Sequence, residues 1–378
     1  MDSKEDLSFG ALCIKLGFST TERIAECLMI QRRMRELGVQ PKRVGEIMVE
    51  KGYLSNDQAA KIFWTQGIKG GHTEIGGYRI LAKIGQGAMG TVYKAVQVKM
   101  DRMVALKVLA PKYAENPTFV ERFLREARAV AKFNHPNIIQ GIDCGESNGV
   151  HFFVMEFVDG PVVGGILRTE GTLNERRAVN IILQIARGLD QAWRVGLIHR
   201  DIKPDNIMLT KDGVAKLCDM GLVKDLTLAP GQSPSEAGVC LGTPNYISPE
   251  QASGEANIDT RADNYSLGCT LYHMITGQVP FPVGTAIEII KQHITADPVP
   301  PCDINPNLSV DINFVTMKMI SKEREERYQT PAELIADLEL LAEGKHLPLF
   351  ESPEKPSGPG RRPTRIFRSI PRRRFKPR

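Results

Sequence analysis

The segment KIGQGAMGTVYKA, residues 83–95, contains three glycines spaced as Gly85-x-Gly87-x-x-Gly90, with Val92 two residues further on. Glycines at this spacing let backbone amides approach phosphate oxygens, because no Cβ stands in the way. A dinucleotide-binding fold would open a helix straight after the glycines. Here TVYKAV continues as a strand, so the segment predicts a β-hairpin that lies over phosphate groups.

A lysine follows inside an apolar strand. Lys107 is the only charged residue of MVALKVL, and burying a lysine is costly unless the charge is paired. For this stretch alone, a lysine that reaches solvent is the simpler explanation. A partner is available in the predicted helix TFVERFLREARAVAKF, where Glu126 shares a face with Phe123 and Val130. A lone carboxylate on an apolar face favours an ion pair between Lys107 and Glu126.

The segment HRDIKPDN, residues 199–206, completes an ordered series of motifs. With it, residues 78–344 resemble the eukaryotic-like serine/threonine protein kinases of bacteria, whose signature motifs form a known set. The matching motifs are the glycine-rich loop 85–92, Val104-Ala105-Leu106-Lys107, Glu126, His199-Arg200-Asp201, Asn206, Asp219-x-Gly221 and Ser248-Pro249-Glu250. The resemblance implies an α+β domain of two lobes that transfers the γ-phosphate of ATP to protein hydroxyls.

The resemblance also implies a role for each catalytic residue. Lys107, held by Glu126, grips the α- and β-phosphates. Asp201 orients the substrate hydroxyl and takes up its proton. Lys203 faces the γ-phosphate, and a lysine at this position resembles the serine/threonine branch of the family rather than the tyrosine branch.

Two further groups of residues are implied for the ligands. Asn206 and Asp219 would hold Mg²⁺, whose charge offsets the charge that builds up on the phosphate oxygens. The residues implied for ATP are Ile84, Gly85, Gln86, Gly87, Ala88, Met89, Gly90, Val92, Ala105, Lys107, Met155, Glu156, Val158 and Met208. Among these, Val92, Ala105 and Met208 would sandwich the adenine ring, and Met155 with the residues after it resembles the gatekeeper and hinge.

Met220, in KLCDMGLVK, raises the question of whether the site is intact. In the family, the residue after the metal-binding aspartate does no chemistry and packs beneath a helix, here against Val130 and His199. Methionine is apolar and flexible, so it fills such a position with modest loss. All the charged groups named above are present, which favours a working enzyme.

Two alternatives from other classes remain. One is a pseudokinase that binds ATP and acts as a scaffold, and the intact set of charged residues argues against it. The other is a small-molecule phosphotransferase, which is disfavoured by GTPNYISPEQ at residues 242–251. That segment resembles the loop that receives a peptide substrate.

Arg200 precedes the proposed catalytic base, and in the family this arginine pairs with a phosphate on the activation loop. The resemblance therefore predicts autophosphorylation between Asp219 and Glu250. Ser235 is at the implied acceptor position and Ser233 is the alternative. Thr243 is a further regulatory candidate in the same segment.

Residues 1–70 contain an internal repeat at an offset of 35 residues. SFGALCIKLGFSTTERIAECLMIQ (8–31) aligns with RVGEIMVEKGYLSNDQAAKIFWTQ (43–66), with glycines and apolar positions matching. Each unit predicts a short helix, a turn at its second glycine and a second helix. The two units predict a small all-helical repeat domain, and the glycines that follow indicate a linker at 71–77.

The two units resemble the N-terminal domain of the ATPases of type II secretion and type IV pilus assembly. Some members of that family bind cyclic di-GMP through an arginine that contacts guanine. Arg43 supplies this group in the second unit, whereas the first unit has Ser8 in its place. A regulatory or protein-docking module is therefore favoured over a second-messenger site.

The charge and cysteine content concern the ends of the chain and its environment. Residues 345–378 are rich in proline and predict a disordered tail, and residues 361–378 hold nine Lys/Arg and no acids. A solvated arm is the favoured interpretation of such a tail, and contact with an anionic partner is the alternative.

The seven cysteines are scattered, without a C-x-x-C pair, which predicts a reducing, cytoplasmic environment. No apolar run is long enough for a transmembrane helix.

Overall fold

The computed structural model describes residues 4–55, 58–59, 62, 74–87, 89–131, 134–147, 149–219 and 244–348. Its first helices are α1 (Lys4–Lys15), α2 (Thr21–Glu36) and α3 (Val44–Glu50), and Gln58, Ala59 and Ile62 are also helical. One apolar cluster gathers side chains from both halves of this segment. Its buried members are Phe9, Cys13, Ile24, Cys27, Val44, Ile47, Met48, Leu54, Ala59 and Ile62.

The turns after α1 and α3 repeat the same backbone hydrogen bonds. After α1 the amides of Gly17 and Phe18 donate to carbonyls three and five residues earlier, and after α3 the amides of Gly52 and Tyr53 do the same. Gly17 and Gly52 have φ of 66° and 70°, a conformation that glycine adopts without steric penalty and that often ends a helix. The sequence repeat thus corresponds to a repeated turn geometry.

The small lobe is a six-stranded antiparallel sheet with the strand order β1-β2-β3-β4-β6-β5. Its strands are β1 (Glu74–Ile75), β2 (Tyr78–Gln86), β3 (Gly90–Gln97), β4 (Arg102–Leu109), β5 (Gly141–Ser147) and β6 (Val150–Glu156). Two helices, α4 (Pro111–Ala114) and α5 (Pro117–Val130), connect β4 to β5. Helix α5 packs on the sheet through Phe123, Ala127 and Val130, in agreement with the apolar face seen in the sequence.

The sheet begins before the predicted start of the large domain. Strand β1 pairs with the first residues of β2, and the turn between them consists of Gly76 and Gly77, with φ of 55° and 87°. Two successive residues with positive φ match the twist of a β-hairpin, and glycine favours such a turn. Residues 74–77, which the glycine content assigned to the linker, therefore belong to the hairpin.

The large lobe is mainly helical. Its elements are α6 (Val163–Glu170), α7 (Glu175–Arg194), β7 (Ile207–Leu209), β8 (Ala215–Leu217), α8 (Pro249–Ala252), α9 (Thr260–Thr276), α10 (Ala286–Thr295), α11 (Pro301–Ile304), α12 (Val310–Met319) and α13 (Pro331–Ala342). The helical periodicity at residues 175–193 is confirmed by α7, which Asn174 caps by accepting a hydrogen bond from Arg177 N at 2.9 Å. Helices α7 and α9 together supply nearly half of the buried core residues of this lobe. The predicted α+β fold with two lobes is confirmed.

Some sequence predictions concern residues outside this description. The packing of Met220, the phosphorylation segment with Ser233, Ser235 and Thr243, and the tail from residue 349 onward lie outside the described residues. In the described part of the chain, no helix is both long and apolar enough to cross a membrane.

Candidate active site

The glycine-rich hairpin is formed by β2 and β3. Gly87 N donates to Gly90 O at 2.9 Å and closes the loop between the two strands. Gly90 lies so close to β4 that a Cβ on it would be 2.1 Å from Val108 O, so only glycine fits there. Added Cβ atoms at Gly85 and Gly87 would meet nothing closer than 3.8 Å and 3.9 Å. These two positions therefore have open space where a side chain would project, and Ala88, which follows Gly87, lies outside the described residues.

The predicted adenine contacts meet in one apolar cluster below this hairpin. Ala105, Met155 and Val158 are buried members, and Val92 and Met208 pack against them. Ala105 and Met155 are neighbours on β4 and β6. Met208 comes from β7 in the large lobe, so the cluster has side chains from both lobes. Met89 also packs on it, whereas Ile84 is 48% exposed on β2.

Lys107 contacts an acid from the large lobe. Its Nζ lies 2.6 Å from Asp219 Oδ1, and the lysine side chain is 14% exposed against 47% for the aspartate. The positive charge of Lys107 holds the pKa of Asp219 below its ordinary value, so the carboxylate is ionised at neutral pH. The predicted pairing of Lys107 with Glu126 stays a prediction, because the Glu126 side chain lies outside the described residues.

The segment HRDIKPDN holds its polar groups around one carboxylate. Lys203 Nζ donates to Asp201 Oδ2 at 2.9 Å. Asn206 Nδ2 donates to the carbonyl oxygen of Asp201 at 2.8 Å and to its Oδ2 at 3.2 Å. Asn206 is buried within a short 3-10 turn that begins with Pro204, so its amide is fixed. Three residues that the sequence assigned to catalysis and metal binding are thus in direct contact.

The buried His199 connects this segment to Asp219. Its Nδ1 accepts a hydrogen bond from Asp201 N at 3.2 Å, which leaves Nε2 to donate to Cys218 O at 3.0 Å. Asp263, on α9, accepts hydrogen bonds from the backbone N–H groups of His199 and Arg200 at 2.7 and 2.8 Å. The strand end that carries Asp219 and the segment that carries Asp201 are therefore held in register.

Two residues of the site have left-handed backbone conformations. Arg200 has φ of 66° and Asp219 has φ of 52°, a region that side chains other than those of glycine, asparagine and aspartate rarely adopt. Residues held in such conformations concentrate at functional sites, where the surrounding structure maintains them. Asp263 and Gln251, whose Nε2 donates to Arg200 O at 3.1 Å, provide that support at Arg200.

A buried ion pair anchors the segment below the site. Arg327 donates to both carboxylate oxygens of Glu250 at 2.8 and 3.0 Å, and the two side chains are 0% and 2% exposed. The remaining guanidinium N–H groups donate to the backbone carbonyls of Ser321, Arg261 and Lys322. Glu250 belongs to the Ser248-Pro249-Glu250 motif that was identified in the sequence.

Comparison with known families now identifies the large domain. Residues 78–342 match the family model described as the protein kinase domain. The chain belongs to the protein kinase family. The predicted serine/threonine protein kinase domain is confirmed by its relatives, since serine/threonine-protein kinase PknB of Mycobacterium tuberculosis is 38% identical over 283 residues. A probable serine/threonine-protein kinase of Clostridium perfringens is 38% identical over 264 residues.

These matches cover only part of each chain. They cover 74% of this chain and 44% of PknB, and 70% of this chain and 38% of the clostridial protein, so the chain spans less than half the length of these relatives. The crystal structure of the kinase domain of Mycobacterium tuberculosis PknI is similar at a TM-score of 0.57 and 27% identity. That match covers 72% of this chain and 99% of the PknI domain.

One pair of residues within this kinase domain was missed in the sequence. Lys216 Nζ donates to Glu156 Oε1 at 2.8 Å, and both side chains are mostly buried. Glu156 was assigned to the ATP site without a partner, and Lys216 was not singled out. Lys216 stands between Ala215 and Leu217 in a short strand. A lysine between apolar residues of a strand is the pattern that identified Lys107, and the same pattern would have identified Lys216.

Proposed function

We propose that this chain is an ATP-dependent protein kinase that phosphorylates serine or threonine hydroxyls, with Asp201 as the catalytic base. The observation that carries the proposal is the meeting of Lys107 and Asp219 with the Asp201, Lys203 and Asn206 cluster. These charged groups come from both lobes and from distant parts of the sequence. Phosphoryl transfer depends mainly on positioning and on neutralising charge, and such a set of groups supplies both.

In the proposed reaction, the substrate hydroxyl approaches the γ-phosphorus of ATP and gives its proton to a carboxylate oxygen of Asp201. A bond forms between the hydroxyl oxygen and the γ-phosphorus, and the bond from that phosphorus to the bridging oxygen of ADP breaks. Lys203, which already contacts Asp201, is placed to neutralise charge on the transferred group. Lys107 would bind the α- and β-phosphates, and its contact with Asp219 of the large lobe supports this role.

The chemistry of Asn206 and Asp219 fits Mg²⁺, which prefers oxygen ligands. Asn206 uses its amide nitrogen on Asp201, so its amide oxygen is the atom suited to a cation. Asp219 is ionised and partly exposed. When bound there, the ion would offset negative charge on the phosphates.

A direct test separates this proposal from the pseudokinase alternative. The full chain is incubated with Mg²⁺, ATP labelled at the γ-phosphate and a generic protein substrate, and label on serine and threonine is measured. We expect incorporation. Nucleotide binding without any transfer would favour a scaffold that binds ATP, and transfer to small molecules alone would favour the phosphotransferase.

We further propose that phosphorylation of the segment between Asp219 and Glu250 activates the enzyme, with Ser235 as acceptor and Ser233 and Thr243 as further candidates. A phosphate near the Arg200 guanidinium would form charge-assisted hydrogen bonds and order the segment.

Phosphopeptide mapping after incubation with Mg²⁺ and ATP checks this prediction. We expect a phosphate in this segment of the wild-type chain and none in the Asp201→Asn variant, because the modification is autocatalytic. An active enzyme whose segment carries no phosphate would contradict the activation model.

For the N-terminal segment we propose a helical repeat domain that docks a protein partner and regulates the kinase. Its repeated turns and shared apolar cluster support a module that folds around its own core. Cyclic di-GMP is the second candidate, because Arg43 lies at the start of α3, where its backbone N–H donates to Glu46 Oε2 at 3.2 Å. For the basic tail we propose contact with an anionic partner, on its charge alone.

Calorimetric titration of the full chain with cyclic di-GMP decides between these candidates. The loss of one of two arginine–guanine contacts weakens binding by roughly 1–3 kcal/mol, so the titration extends to high ligand concentration. Heat that disappears in Arg43→Ala would support the nucleotide, whereas no heat and no shift in melting temperature would leave the docking role.

A further inference from the structure

The carboxylate of Glu156 joins the two lobes beside the proposed nucleotide site. Its Oε1 accepts a hydrogen bond from Gln140 N at 2.9 Å and another from Lys216 Nζ at 2.8 Å. The backbone N–H of Glu156 donates in turn to Gln140 O at 3.0 Å. One carboxylate oxygen therefore connects the last residue of β6, in the small lobe, with β8 in the large lobe.

Both partners adjoin residues that we assign to the nucleotide. Glu156 directly follows Met155 on β6. Lys216 is directly opposite Met208 in the antiparallel pair β7–β8, and Asp219 is three residues further along the chain. A change in the distance between Glu156 and Lys216 would therefore move the upper and lower walls of the adenine cleft relative to each other.

The pair is shielded from water, unlike a second pair near the same hinge. The Lys216 and Glu156 side chains are 15% and 26% exposed. Lys211, which precedes β8, contacts Asp159 with side chains that are 75% and 63% exposed. Exposed pairs are screened and contribute little, whereas removal of one member of a shielded pair leaves the other charge without compensation.

The neighbouring backbone restricts the pair further. Leu217 N donates to Asn137 O at 2.9 Å and Ile139 N donates to Leu217 O at 3.0 Å, so β8 is attached to the chain just before Gln140. Because Gln140 is itself hydrogen-bonded to Glu156, this backbone holds β8 beside Glu156, and the ion pair adds a side-chain link between the lobes at the same place.

We propose that Glu156 and Lys216 are positioning residues that hold the lobes at the separation needed to bind ATP, an inference that rests on the nucleotide site assigned under the proposed function. The adenine ring would be held between Val92 and Ala105 above and Met208 below. The pair acts by fixing the distance between these walls and does not require contact with the substrate.

The test measures the affinity of the full chain for the β,γ-imido analogue of ATP with Mg²⁺, by calorimetric titration. Lys216→Met and Glu156→Gln are each expected to weaken binding by roughly five- to thirty-fold. Because each change breaks the same pair, the double variant is expected to bind the analogue about as weakly as each single variant. Independent effects would instead multiply the two losses of affinity. Lys211→Met is the matched control, and its affinity is expected to stay within about two-fold of wild type.

Two further readouts separate positioning from a general loss of stability. Steady-state kinetics should show a raised KM for ATP and a KM for the protein substrate that changes little. Lys216→Arg keeps the charge and should restore most of the affinity, and it serves as the second variant if Lys216→Met does not fold.

The outcomes are distinct. Wild-type protein that binds no nucleotide would overturn both the proposed function and this inference. If the wild type binds and Lys216→Met binds as well as Lys211→Met, the positioning role alone is overturned. The same holds if the losses of affinity in Lys216→Met and Glu156→Gln multiply in the double variant.

Discussion

Asp201 has two hydrogen-bond donors on its carboxylate oxygen Oδ2, from Lys203 and Asn206. Both contacts leave the carboxylate fixed rather than free to rotate. Asn206 is itself held by a buried turn, so the orientation of the proposed base is set before any substrate binds. A base that is already oriented acts without a cost of reorganisation during the reaction, so it contributes more to catalysis than a mobile group.

The Asp201→Asn variant tests this role at the residue scale. It removes the proton acceptor and changes almost no volume, so kcat is expected to fall by about 10²–10⁴-fold. Calorimetric affinity for the ATP analogue should stay within a few-fold, because Asp201 is not assigned to the nucleotide. Turnover close to wild type would show that another group takes up the proton.

A second residue-scale prediction concerns pH. Burial, followed by the nearby charge of Lys322, lowers the pKa of His293 from 6.5 to about 3, and Tyr265 OH lies 2.9 Å from His293 Nδ1. The unfolded chain binds a proton near pH 6.5 that the folded chain does not bind until about pH 3. Stability is therefore full above pH 6.5 and decreases as the pH falls between those values.

Urea unfolding at pH 6.5 and pH 5.0 measures this effect. His293 should contribute a loss of about 2 kcal/mol in the free energy of unfolding across that interval, and His293→Gln should lose correspondingly less. Equal losses in the two proteins would mean that His293 is protonated in the folded state.

At the scale of elements, the hairpin β2–β3 shows how differently two glycines of one motif are used. Gly90 allows β3 to approach β4, since a Cβ there would clash with Val108 O. Gly87 has open space where its Cβ would be, and its N–H closes the loop on Gly90 O. The sheet requires a glycine at position 90, whereas the proposed phosphate site requires one at position 87.

The pair of variants Gly90→Ala and Gly87→Ala tests this distinction. Gly90→Ala forces two strands apart and should lower the free energy of unfolding by about 1–3 kcal/mol. Gly87→Ala should leave stability within about 0.5 kcal/mol and weaken the ATP analogue instead. Chemical unfolding and calorimetry check both, and a reversal of the two effects would contradict the assignment.

The elements also show how far the sequence is informative. Periodicity predicted α7 and the strands around Lys107, because local patterns of apolar residues determine which face is buried. It did not predict β1, a strand of two residues defined by a glycine turn. The contact of Lys107 with Asp219 crosses 112 residues and depends on how the lobes pack. Motif resemblance placed both residues in the site, but only the fold supplies the distance between them.

At the scale of the whole molecule, long-range contacts tie the segment that follows the proposed phosphorylation region to the end of the large lobe. Glu250 and Arg327 are 77 residues apart and share two hydrogen bonds. Since both side chains are buried, each compensates a charge that water cannot reach. The pair therefore links the start of α8 to the C-terminal part of the large lobe.

Arg327→Met should lower the free energy of unfolding by about 3–5 kcal/mol, because it leaves Glu250 buried without its partner. Arg187→Met is the matched control. Arg187 contacts Glu339 at 2.8 Å with both side chains nearly half exposed, so the loss there should be below about 1 kcal/mol. Denaturant unfolding compares the two, and similar losses would show that burial does not set the strength of these pairs.

The repeated glycine turns have a consequence for the history of the chain. CIKLGF at residues 13–18 and MVEKGY at 48–53 form equivalent hydrogen bonds, although the glycine is the one identical position of the six. Two copies of a duplicated ancestral segment would retain the turn while their sequences diverged at the other positions. We therefore expect a chimera with MVEKGY in place of CIKLGF to keep the turn after α1, since both segments already form it in this chain.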